Sequence, residues 1–363
     1  MNSKDRVYAS LRREPVDRVP IFMWYHPQTV RRLSQILEIP AQHVGEALGD
    51  DIVMTWVNNN YAMEGIVHEY DGASHIDEWG IEWTRIEGFN QITRFPLAGS
   101  SYQELQSYIF PENKVGELVA HMQPLMIKKQ TYFIGCDVSP CAFEMYWRLR
   151  GMENTMFDIV SNPKGAEDFI RRCVDFTLQL SEAAFRRFKL DWLWAGDDIG
   201  GQNGMMLSPK SWRDLIKPQL QRIFDLAKSE NVYAAFHSCG SIRPIIGDLV
   251  EMGLDVLNPI QCNCKDMDPF ELKSEFGKHL SFMGGIDTQN LLPNGTADHV
   301  YRSTVRLIEA MMGDGGGYIL AASHSIPPET PDENIFAMYN AAGISKEEIF
   351  DRAAKIRGSV KKN

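Results

Sequence analysis

At 363 residues, with 44% hydrophobic and 23% charged, the chain has the make-up of a globular protein that buries a sizeable core without staples. A net charge of −11 and the lack of a long basic cluster exclude nucleic acid and anionic membrane as principal partners. Six scattered cysteines, a start (Met1-Asn-Ser-Lys-Asp5) without an apolar leader and no apolar run of membrane-spanning length predict reduced thiols in a cytoplasmic protein.

In chain order, residues 3–16 predict an amphipathic N-terminal helix. Residues 18–26 read as a first strand with an aromatic, polar end at Tyr25-His26, and 51–57 as a second. Between 62 and 97 the alternation of apolar and charged residues in Asp77-Glu-Trp-Gly-Ile-Glu-Trp predicts a β-hairpin excursion. Further strands are expected at 131–140, 191–198, 232–236, 254–261, 280–287 and 317–324, separated largely by helical periodicity such as that of 163–188. Ser208-Pro-Lys-Ser opens one of these helices with a serine cap and an early proline.

Eight strands alternating with helices predict an α/β chain, a (β/α)8 TIM barrel formed as a single domain over 1–363. A doubly wound sheet would want a glycine-rich phosphate loop, and Gly313-Asp-Gly-Gly-Gly317 leads into a strand instead.

In such a barrel the strand ends converge on one mouth. The fifth strand delivers His237-Ser-Cys239-Gly, where residues i and i+2 of an extended tip face one point. His and Cys are good ligands for zinc, and His324 at the eighth tip offers a third, leaving an open position for substrate or water. Of the adjacent acids Asp197 and Asp198, one should enter the cavity; Asp198 is assigned as the catalytic proton handler, a hydrogen-bond acceptor for substrate or a fourth metal ligand. Tyr25, His26, Asp137, Gln202, Gln261 and Asp287 complete the polar mouth as substrate-binding candidates. Cys262-Asn-Cys264 reads as a pair of ordinary loop thiols.

His237-Ser-Cys-Gly-Ser, Asp255-Val-Leu-Asn-Pro-Ile-Gln, Gly284-Gly-Ile-Asp-Thr-Gln and Pro331-Asp-Glu-Asn-Ile-Phe-Ala-Met resemble the uroporphyrinogen decarboxylase superfamily, over about 18–342. The resemblance implies a (β/α)8 barrel, often a homodimer. True decarboxylases carry an Arg-Gln-Ala-Gly-Arg segment after the first strand, whose arginines bind the tetrapyrrole propionates. This chain has Trp24-Tyr-His-Pro-Gln-Thr-Val-Arg-Arg32 there instead.

The His-x-Cys tip is similar to that of the zinc- and corrinoid-dependent methyltransferases of the same superfamily. That likeness implies Zn²⁺ in the chain and a corrinoid (cobalamin) carried by a partner protein. The expected activity is movement of a methyl group between that corrinoid and a small O-, N- or S-methyl compound, or a thiol acceptor. The alternatives are decarboxylation of a tetrapyrrole or other polycarboxylate, and a non-catalytic ligand-binding barrel.

Overall fold

The structure, a computed structural model, describes residues 1–360. Seven parallel strands form one curled sheet: β1 Ile52–Trp56, β2 Phe133–Asp137, β3 Trp192–Gly196, β4 Tyr233–His237, β5 Val256–Ile260, β6 Ser281–Ile286 and β7 Tyr318–Ala322. They pair in chain order, each next to the one before it, which is the connectivity that strand–helix alternation dictates.

The remaining expected strand, 18–26, is not a regular one. It makes single bridges, Ile21 to Leu320 and Tyr25 to Ile326. Phe22 donates to the Leu320 carbonyl at 3.1 Å, and on the other side Asp51 donates to Ile21 at 2.7 Å. Residues 20–26 therefore lie between the two edge strands. Pro20 lacks the N–H that a longer ladder would need.

The strand faces divide the core. Phe133, Trp192, Trp194, Ala235, Val256, Met283 and Ile319 fill the inside of the curl, while the opposite faces pack against the helices. Gly135 belongs to this inner packing, because a Cβ there would sit 1.9 Å from Trp192 Nε1. Helix α1 (Ser3–Leu11), capped by Asn2, sends Val7 and Leu11 into the same inner cluster. Tyr8 stacks edge-on against Phe133 at 5.2 Å and donates to Asp191 at 2.7 Å, which fixes α1 beneath the strand N-termini.

The 62–97 excursion forms a three-stranded antiparallel sheet from Ser74–Ile76, Glu82–Ile86 and Phe89–Arg94. Its anchor is Asp77, which accepts hydrogen bonds from the Trp79 and Ile81 amides, the Trp83 indole and Asn59. Trp79 and Trp83 are buried beneath it. So anchored, the sheet puts Arg85, Gly88 and Phe89 over the strand C-termini.

Candidate metal centre

At the C-terminal ends of the strands lies a cavity of about 440 Å³, and β4 delivers His237 and Cys239 to it. The Cys239 Sγ is 3.4 Å from His237 Nε2, and Asp198 Oδ1 is 3.5 Å from the same nitrogen. Among the described residues, Asp198, His237 and Cys239 form the group of metal-binding side chains whose ligand atoms all lie within 4.8 Å of one another.

Two features of the chain bring them together. The loop after β3 and the tip of β4 are packed glycine on glycine: a Cβ on Gly240 (φ +81°) would lie 2.3 Å from the Gly200 carbonyl carbon. Ser241 then donates to Gly201 at 2.9 Å and Ile199 to the Ser238 hydroxyl at 3.2 Å. The second feature is the division of labour between the paired acids. Asp197 is fully buried and accepts from the Ala142, Phe143 and Glu144 amides, so it caps the helix Phe143–Arg150. Asp198, next along, turns into the cavity.

The imidazole is oriented from behind. His237 Nδ1 lies 2.6 Å from Asn258 Oδ1, an acceptor, so Nδ1 carries the proton and Nε2 presents a lone pair to the cluster. Asn258 is brought there by register, since β5 pairs Asn258 with His237. A thiol, an imidazole lone pair and a carboxylate are a borderline donor set that suits Zn²⁺. Burial, then the nearby Asp198 charge, push the Cys239 thiol well above its ordinary pKa, so an ion binding here would displace its proton.

His324 lines the same cavity but stands outside that close group. Burial, followed by the charge of His237, lowers its pKa and keeps it neutral. Asp137 also lines the cavity, with its carboxyl raised to about 7 by burial although the Ser139 amide donates to it at 2.7 Å.

Tyr25 contributes to the wall, while its hydroxyl bonds Tyr339, which in turn donates to Asp50 at 2.6 Å. His26 Nδ1 accepts from the Gln28 amide and caps the helix Pro27–Leu37, its ring against Phe89 at 4.5 Å.

Three expected substrate contacts are not among the lining residues. Gln261 accepts from the Gly240 amide at 2.7 Å, so it holds the backbone behind Cys239. Asp287 is spent on the Gln289 and Asn290 amides and on Asn263, and Gln202 lies on the exposed loop, against Cys264. Cys262 and Cys264 stand outside the metal group, as loop thiols.

Residues without an assigned role in the sequence reading also reach the cavity. Glu144 and Arg148 form a buried pair at 2.5 Å, and Glu144 accepts from the Asp198 amide at 3.1 Å. Their i, i+4 spacing was a signal, though one shared by many surface pairs. Glu64 enters from a single π-helical turn, Tyr61–Gly65, a local widening with no sequence signature.

The profile of the family described as uroporphyrinogen decarboxylase matches residues 2–343. The chain belongs to the uroporphyrinogen decarboxylase family. It is 23% identical over 259 residues to a methylated-thiol–coenzyme M methyltransferase of Methanosarcina mazei, covering 68% of this chain and 65% of that protein. The alignment thus spans less than two thirds of that relative's length. It is 22% identical over 344 residues to the uroporphyrinogen decarboxylase of Thermus thermophilus, covering 91% of this chain and 95% of that one. A solved methyltransferase from Methanosarcina mazei superposes with a TM-score of 0.65 at 18% identity, over 94% of this chain and 98% of its own; at that identity the likeness shows the fold. Among the described residues no helix is long and apolar enough to cross a membrane.

Proposed function

We propose that this member of the uroporphyrinogen decarboxylase family is a zinc-containing methyltransferase. It would move a methyl group between a small O-, N- or S-methyl compound and the corrinoid of a partner protein. The observation that carries this reading is the convergence of Asp198, His237 and Cys239 in a cavity whose arginines are already paired. Arg148 is held by Glu144, and Arg85 by Asp71 at 3.0 Å, with side chains only 2% and 14% exposed. A tetrapyrrole bearing many carboxylates needs a free cationic clamp. The relative named as a methyltransferase supports the same direction.

Zn²⁺ bound here would act as a Lewis acid, offsetting negative charge on a departing oxygen, nitrogen or sulfur, or lowering the pKa of an accepting thiol. The chain's own groups do the rest. Asn258 locks the His237 tautomer, and the Cys239 amide fixes Asp198 through Oδ1. Asp198, held through Oδ1, turns its carboxylate into the cavity, where it would join the ion's donor set or accept a hydrogen bond from the substrate. His324, which lines the same cavity, would contact the substrate. Trp24, edge-on to His237 at 5.6 Å, and Trp194, tilted against it at 6.1 Å, shield the imidazole from water.

The test combines metal analysis with methyl transfer. About one zinc per chain and zinc-dependent methylation of cob(I)alamin, both lost in His237→Ala, are expected. Metal-free turnover of uroporphyrinogen would establish the decarboxylase instead.

A further inference from the structure

We infer that the small compound handled in this cavity carries a positively charged nitrogen, a protonated or quaternary ammonium, with Glu64 as its counter-charge. This rests on the methyl-transfer reading for its chemistry and adds the charge class of the substrate. Glu64 lines the cavity and makes no hydrogen bond or ion pair to a described residue. Its side chain is exposed to the water that fills the cavity.

A guest filling the cavity would strip that water from the carboxylate, which is costly unless the carboxylate is then paired, and no cationic side chain pairs it. Arg148 is the neighbouring cation, but its guanidinium is engaged by Glu144 at 2.5 Å and by Asn59 at 3.1 Å. The other anions of the cavity are committed. Asp198 belongs to the metal cluster, Glu144 to Arg148, and Asp137 accepts the Ser139 amide.

The walls fit the same guest. Trp24, Trp56 and Trp147 are each half-buried and line the cavity, and indole rings are the side chains that attract ammonium groups most strongly. An anionic substrate would meet Glu64 with no unpaired lysine or arginine in the cavity wall to offset it. A neutral one would leave the carboxylate unpaired.

The experiment compares choline with its uncharged carbon isostere, 3,3-dimethylbutan-1-ol, binding to the full-length zinc-loaded protein. Tryptophan fluorescence and calorimetry report the affinities at neutral pH. Choline should bind about tenfold tighter than the isostere or better. In Glu64→Gln, which keeps the shape and removes the charge, the ratio should fall to about twofold or less, with isostere affinity little changed. Wild-type protein that binds choline no tighter than the isostere, or not measurably, overturns the inference. So does a ratio unchanged in the variant. A preserved choline preference without any methyl transfer to cob(I)alamin would remove the transferase reading and leave the cation site. Methyl transfer with a ratio near unity would do the reverse.

Discussion

The Cys239 amide donates to Asp198 Oδ1 at 2.8 Å, joining the tip of β4 to the loop after β3. The two residues are 41 positions apart in the chain, yet this contact sets where both side chains can point. The bond needs backbone to approach backbone, and the facing glycines Gly200 and Gly240 allow it.

Gly240→Ala should therefore break the cluster. The position has φ +81°, and the added Cβ would lie within 2.3–2.6 Å of Gly200 and Gly201 backbone atoms that no rotamer change can move aside. The expected loss is about 2–4 kcal/mol of stability by chemical denaturation, together with reduced zinc content. A variant of wild-type stability that still binds zinc would show that the glycine contact does not position the site.

Asn258 acts through His237. Asn258→Ala leaves Nδ1 without its acceptor and lets the ring adopt the other tautomer or turn. Zinc affinity should fall about 10- to 100-fold while the fold is kept, as competition with a chelator would read. Asn258→Asp retains an acceptor and should restore most of the affinity.

His324 and His237 should separate in the same assay. His237→Ala removes a ligand and should abolish stoichiometric zinc binding. His324→Ala removes a group outside the close cluster, so zinc should stay bound within about tenfold of the wild-type affinity while methyl transfer falls. Equal zinc loss in both variants would move His324 into the ligand set.

Much of this was legible in the sequence because strand tips announce themselves. Apolar runs ending in His237-Ser-Cys239, Asp197-Asp198 and Ser323-His324 mark three strand ends, and seven of the eight expected strands form the sheet. Alternation along a strand correctly sent one acid of the 197/198 pair inward. Gln261 and Asp287 bond backbone amides, because a polar residue at a strand end serves such amides as readily as substrate, and spacing does not distinguish the two. Glu64 was invisible because its entry depends on one widened helical turn and on the excursion folding back over the mouth. Asn258 was present in a recognisable segment, but its role appears only when register sets it beside His237.

Asp50 offers a pH test remote from the cluster. Its carboxyl is buried and accepts from Tyr339 at 2.6 Å; burial raises its pKa to about 8. The sign follows from linkage: the folded state holds this proton over a range where the unfolded chain has released it. Stability from this group is full below the ordinary aspartate pKa of about 4 and is lost as pH rises through about 8. Asp50→Asn keeps an acceptor for Tyr339 and removes the ionisation. Melting temperatures at about pH 6 and about pH 9 should therefore drop further in the wild type than in the variant. Parallel pH dependence in the two proteins would mean that Asp50 titrates as an ordinary solvated carboxylate.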